Sequence, residues 1–542
     1  MPQGIATIIF ALGILGLFLL DRDRKSRFSP ALWIPIVWLS INASRTVSEW
    51  LGGVGTLASP DELVEGSPFD ALIFAGLLAA GLVVLHARGE RAGTILRANG
   101  PLLVFFIYCA VSFLWSDYPF VAFKRWIKTV GDLVMVLVVL TDPEPTAAIR
   151  RFTARSGFLL IPLSILLIGY YPGVGWGYDP WTGTTYYTGV AHNKNGLGYI
   201  CLIFGLGSWW CFLEALRDEE RDRATGPLIA HGTILAMAVW LFSMIDSATS
   251  LACFLVGGVL IALTSRRGSA LTPATAYTLT AGIVALLLLG LLFDSEVVLI
   301  QTLGRDVTLT GRTQLWKDLL RMTADPWFGT GFESFWLGER VKSLWSQYLW
   351  HPNQAHNGYL EVLLNLGWVG VALLGFVIVW GYRNVVSALH RDPALGRLRL
   401  AFFVVAVLYN VTEAAFRMMH PVWIAFLLAV MVIPDPEPRE GREARDHGRR
   451  GPAAEEAGLR FGAQGRRGWA STSQAQNIES IELKLDKLPG DVLDAMPSGR
   501  PVLGSVLAEN WHAVDLDAGR PQHSTVDERR APTAEGRRNN ND

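Results

Sequence analysis

The chain has 542 residues, of which 51% are hydrophobic and only 18% charged, with a net charge of −1. A protein of that length and composition is too apolar to have water as its main solvent, which excludes an ordinary soluble enzyme and points to a membrane.

Taken in chain order, the apolar residues fall into blocks of about 14 to 24, near what a helix needs to cross roughly 30 Å of hydrocarbon. The blocks are 4–20, 29–44, 69–86, 101–115, 126–140, 157–171, 196–214, 228–245, 249–264, 273–293, 359–382, 399–415 and 420–433. Backbone polar groups in lipid must be satisfied within the segment, so the expected fold is all-α, a polytopic transmembrane bundle of 12 or 13 spans. The first block has no basic region before it and no small-residue cleavage site after it, so it is expected to stay as a span and not to act as a removable signal. Block 29–44 is short and carries Pro30 and Pro35, and the last two blocks closely flank Arg417.

Short loops rich in Lys and Arg define the cytoplasmic side. The cations of 21–27, then Arg88, Arg91 and Arg97, Arg150, Arg151 and Arg155, Arg217, Arg221 and Arg223, Arg266 and Arg267, and those of 383–399 all fall on one side if every block crosses. That parity puts the long segment 294–358 on the non-cytoplasmic face, beside loops 44–68, 116–128 and 172–195. The expected location is a membrane that borders the cytoplasm and is crossed many times. Cys109, Cys201, Cys211 and Cys253 lie within blocks and read as packing residues. Residues 1–433 form the membrane domain and 434–542, poor in apolar residues, an expected disordered cytoplasmic tail with a small amphipathic stretch at 478–493.

The outer segment holds three fragments in order: Gly311-Arg312-Thr313-Gln314-Leu315-Trp316, then Asp325-Pro326-Trp327-Phe328-Gly329-Thr330-Gly331, then His356-Asn357-Gly358-Tyr359-Leu360. It leads into a block bearing Gly367 and Gly370. Upstream stand Phe113-Leu114-Trp115-Ser116-Asp117-Tyr118-Pro119 with Lys124-Arg125, and His192-Asn193-Lys194-Asn195-Gly196-Leu197-Gly198. This ordered set, over residues 100–433, resembles the O-antigen ligase and Wzy-type polymerase superfamily of envelope glycosyltransferases. The His192 segment is similar to the H-K-N-x-x-G segment of its ExoQ-like exopolysaccharide branch, with Asn193 inserted.

The residues read by themselves point the same way. A lipid-diphosphate donor presents its anion at the membrane boundary, and Arg125, Arg305, Arg312 and Lys194 all map to the outer side. A guanidinium grips phosphate oxygens with paired hydrogen bonds and keeps its charge. It also stabilises charge on a departing diphosphate. The plain alternative for Arg312 is an exposed cation paired with Asp306 or Asp318, and for Arg125 an interfacial cation beside Lys124 and Lys128. His356 is the candidate base, since an imidazole with its ordinary pKa near 6.5 can accept a proton at neutral pH. Its plain alternative is a helix cap for the span starting near Tyr359. The family resemblance implies the catalytic roles for His356 and Arg312. Substrate contacts are expected from Arg125, Arg305, His192, Lys194, Asn357 and Trp327. Asp246 and Glu333 look isolated, no metal-site spacing or Walker loop occurs, and no metal, cofactor or nucleic acid is expected.

The expected activity is therefore polymerisation of undecaprenyl-diphosphate-linked oligosaccharide repeat units, with membrane lipid as surroundings and polysaccharide-export and chain-length proteins as candidate partners. One alternative is an O-antigen ligase acting on a lipid A core. Another is a transporter or flippase of a lipid-linked substrate, for which the charged residues in or near spans, Asp132, Glu361, Glu413 and Arg417, would be the functional groups. No duplicated halves of the kind common in transporters occur.

Overall fold

The computed structural model describes residues 1–22, 29–52, 67–178, 183–218, 221–265, 309–323, 325–348 and 350–434. Arg305, block 273–293, the tail and its 478–493 stretch lie outside the described residues.

Among the described residues the chain is a helical membrane bundle. Its helices are α1 (Gln3–Leu20), α2 (Trp33–Ala43), α3 (Val47–Trp50), α4 (Pro68–Ala87), α5 (Gly89–Ala98), α6 (Gly100–Val111), α7 (Pro119–Leu140), α8 (Pro145–Tyr170), α9 (Pro172–Gly175), α10 (Lys194–Ala215), α11 (Arg221–Met244), α12 (Ala248–Thr264), α13 (Leu309–Arg321), α14 (Gly338–Gln347), α15 (Gly358–Arg391), α16 (Pro393–Thr412) and α17 (Pro421–Val430). Seven of these are long and apolar enough to cross a membrane, or eight if α5 and the α6 segment, bent by 88°, count as one. One antiparallel pair, β1 (Trp176–Tyr178) and β2 (Thr185–Tyr187), interrupts the all-helical pattern.

Local sequence sets where the helices begin. Prolines stand at the first position of α4, α7, α8, α16 and α17, where no amide is needed. Asn193, Asn357 and Asp392 cap α10, α15 and α16 with side-chain oxygens that accept first-turn amides. α8, α10 and α16 are mostly buried in the bundle, whereas α1 and α4 turn apolar surface outward. All four cysteines are buried and unpaired.

Contacts sort the loops into two ends. At one end Gly358 N–H donates to the Glu413 carbonyl, Asn195 reaches Glu413, Lys194 pairs with Asp246, and Arg45 donates to the Val174 and Ala191 carbonyls. At the other, Arg150 pairs with Asp21, Arg88 with Asp142, and Arg397 with Glu214. These are the two loop sets that the alternation of spans demands.

The block 359–382 is a longer and broken helix. Gly367 takes φ +64° and ψ −169° inside α15. The turn 325–330 fills the break: Trp368 N–H donates to the Pro326 carbonyl (2.9 Å), Val369 N–H to that of Trp327 (3.2 Å), and Thr330 N–H to that of Leu364 (3.1 Å). Backbone groups freed by the break thus regain partners, as an apolar environment requires. A Cβ on Gly367 would stand 2.1 Å from the Trp327 carbonyl oxygen, so glycine is needed for both dihedral and space. The expected span 420–433 is helical only as α17, and 413–420 forms a non-helical segment between α16 and α17.

Candidate active site

The long loop is a small folded unit. α13 and α14 pack Leu315, Leu319 and Leu344 against Phe335, Trp336 and Leu364. Asp325 accepts the amides of Trp327 (2.8 Å) and Phe328 (3.1 Å), which folds the Asp-Pro-Trp-Phe turn onto itself. The upstream Trp-Ser segment docks on the same unit. Trp115 donates to the Phe328 carbonyl, Ser116 Oγ donates to Ser334 Oγ at 2.7 Å, and Phe332 N–H donates to Ser112 Oγ. Much of the motif pattern is therefore scaffold that fixes the loop on the bundle.

On that scaffold three groups meet. His356 Nδ1 lies 3.1 Å from Glu413 Oε2, and Arg312 Nη2 lies 3.5 Å from Glu413 Oε1. Arg312 Nη1 also donates to the Thr412 carbonyl at 2.7 Å, and Asn195 Nδ2 donates to Glu413 Oε1 at 3.0 Å. Glu413 is 8% exposed, while His356 and Arg312 keep 19% and 29% of their side chains open. A carboxylate can only accept, so it places the imidazole proton on Nδ1 and leaves Nε2 as the acceptor. His356 reaches this position with φ +51°, a conformation uncommon for a non-glycine residue. It is not the cap of α15: Asn357 Oδ1 accepts the amides of Tyr359 and Leu360. The exposed Trp350 ring stands 6.2 Å from the His356 ring.

A second charged group adjoins the first through segment 413–420. Glu333, also at positive φ, lies 3.9 Å from Arg417 and accepts the Met418 amide, and Arg125 donates to its backbone carbonyl. Glu333, Arg417, Glu361, Phe332, Phe416 and Trp423 help line a small cleft.

Of the residues expected at the site, Arg312 and His356 converge, and Arg125 joins the adjacent group. His192 lies 3.3 Å from Glu49, and burial pulls its imidazole below the ordinary value against the opposing pull of Glu49. Lys194 pairs with Asp246. Their segment reaches Glu413 through Asn195 instead. Asn357 is engaged at both ends of its amide, with Nδ2 donating to the Val411 carbonyl. Trp327 is 63% exposed beside Gly367, on the order of 15 Å along α15 from His356.

Glu333 and Asp246, which stand apart from other acidic groups in the sequence, each have a cationic partner, Arg417 and Lys194. Arg312 is paired with Glu413, not with Asp318, which instead accepts from the Tyr348 hydroxyl at 2.7 Å and pairs with Arg321. That Tyr348 bond is the main reason the Asp318 carboxyl is held below the usual range. Asp132 accepts from Trp38 Nε1 and the Met419 amide, and Glu361 from Trp336 Nε1 and the Ala355 amide.

Fold and site together define a polytopic helical membrane protein whose charged centre is assembled at one end of the bundle, where the large loop meets the segment after α16. Residues 232–375 match the O-antigen ligase family model. The chain is similar to the exopolysaccharide production protein ExoQ of Rhizobium meliloti (strain 1021), 26% identical over 308 residues that cover 54% of this chain and 67% of that protein. Both findings bear out the family resemblance carried by the motifs. The matched stretch contains Arg312 and His356, whereas Glu413, Asn195 and Arg125 lie outside it.

Proposed function

We propose that the chain is a membrane glycosyltransferase of the bacterial inner membrane that polymerises lipid-diphosphate-linked oligosaccharide repeat units into exopolysaccharide on the periplasmic face. The observation that carries this reading is the meeting of His356 and Arg312 on Glu413. The likeness to a protein named for exopolysaccharide production supports polymerisation over ligation.

In this mechanism Glu413 holds His356 with Nε2 free. Nε2 takes the proton of an acceptor sugar hydroxyl as that oxygen attacks the anomeric carbon of the donor. The bond from that carbon to the diphosphate oxygen breaks, and its electron pair leaves with the lipid diphosphate. Among the described residues two N–H directions of Arg312 are engaged, by Thr412 and Glu413, and the rest of its fork receives the leaving phosphate oxygens. Arg125, and Arg305 from outside the described residues, would add positive charge along the path of the diphosphate. The imidazolium that forms is stabilised by Glu413 until its proton is lost.

His356→Ala and Arg312→Ala are each expected to stop polymer formation in cells while the protein stays inserted and abundant. The loss of a base alone corresponds to about 10² to 10⁴ in rate. Polymer of normal amount and length from either variant would refute the assignment.

A further inference from the structure

A larger cavity lies at the opposite end of the bundle and has no part in the reaction above. It has a volume of about 250 Å³ and lies between the first turn of α8, the last turns of α15, the first turn of α16 and residues 432–433 after α17. Two arginines, Arg391 and Arg399, and one carboxylate, Asp392, line it together with Ser387. Asp392 is already used: Oδ1 accepts the Leu395 amide at 3.2 Å and Oδ2 accepts the Thr146 hydroxyl at 3.0 Å.

Among the described lining residues, cations therefore outnumber carboxylates by one. Arg399, 6% exposed, donates through Nε to the Ala429 carbonyl at 2.8 Å and through Nη2 to that of Met431. It thereby neutralises the carbonyl end of α17, while its Nη1 makes no hydrogen bond among the described residues. Arg391 is exposed and has no ion-pair partner among the described residues. Two long helices, α8 and α16, begin at the cavity, and their N-terminal ends favour an anion. The N-cap residue of α8, Glu144, makes no side-chain cap bond to its first-turn amides. The carbonyl end of α15 opposes this, but Arg391 stands in its last turn.

We propose that this cavity binds a phosphodiester anion, supplied by the headgroup of an anionic phospholipid. The charge fits a single phosphodiester, and a guanidinium is suited to its paired oxygens. Leu395, Val432 and Ile433 give the cavity an apolar side that a glycerol backbone can cover and a hydrated ion cannot use. Its place at the ends of membrane-crossing helices is headgroup depth, where anionic lipid is attracted by basic residues.

The test is binding of fluorescent phosphatidylglycerol to the purified full chain in phosphatidylcholine nanodiscs, with unlabelled phosphatidylglycerol and inorganic phosphate as competitors. Arg391→Gln is the informative variant because Arg399 also holds α17. It is expected to weaken binding about tenfold, the loss of one charge-assisted contact. Arg383→Gln, an exposed cation on the same helix but outside the cavity, is expected to leave binding unchanged. Competition by unlabelled phosphatidylglycerol alone assigns the lipid headgroup, and equal competition by inorganic phosphate assigns the site to the phosphate group whatever its source. No binding by the native chain, or equal weakening in both variants, overturns the proposal.

Discussion

Glu413 is the residue on which the chemistry turns, because it decides which nitrogen of His356 carries the proton. Glu413→Gln keeps the size and one acceptor but no longer imposes that tautomer or balances an imidazolium. Its turnover is expected to fall on the order of 10² or more, the pattern seen when the orienting carboxylate of a histidine base is neutralised. A steady-state assay showing unchanged turnover in Glu413→Gln would remove the carboxylate from the mechanism. Arg312 and His356 were legible in the sequence because each sits in a motif with a fixed place before a span. Glu413 was visible only as a charge at the end of an apolar block, a general signal in membrane chains. Its pairing was hidden because 57 residues and two helices separate it from His356. Asn195 was hidden for another reason: its neighbours His192 and Lys194 carry more obvious chemistry, yet they turn to Glu49 and Asp246.

At the scale of elements, apolar block length located the membrane helices among the described residues but did not show their breaks. A hydropathy pattern does not register the positive φ of Gly367, because the flanking residues remain apolar on both sides. Nor does it show that the Asp-Pro-Trp-Phe-Gly turn exists to satisfy the break. Gly367→Ala forces a side chain against the Trp327 carbonyl in a backbone conformation that costs of order 1 to 3 kcal/mol for such a residue. The variant is expected to unfold at lower temperature and to lose polymerisation, since the turn and α15 together position His356. Gly375→Ala, in the same helix with open space around it, is the matched control and is expected to match the native protein in both measurements. Equal thermal midpoints for the two variants would contradict the docking role of the turn.

Across the whole molecule, the distribution of cations and the alternation of spans define two ends, and the reaction scheme requires the loop end to face away from the cytosol. Ser346 is exposed on α14 at that end, and Ser387 is exposed on α15 near the other. Ser346→Cys is expected to react with an impermeant thiol reagent in intact cells, and Ser387→Cys only after permeabilisation. The four native cysteines are buried and give little background. The reverse labelling pattern would invert the topology and with it the side of synthesis. The measurement that reaches the centre of the account most directly is product sizing after purified protein is incubated with an undecaprenyl-diphosphate oligosaccharide. The native chain is expected to give a ladder of longer lipid-linked glycans, and His356→Ala none above the starting material. A ladder formed by His356→Ala at the native rate would contradict the account.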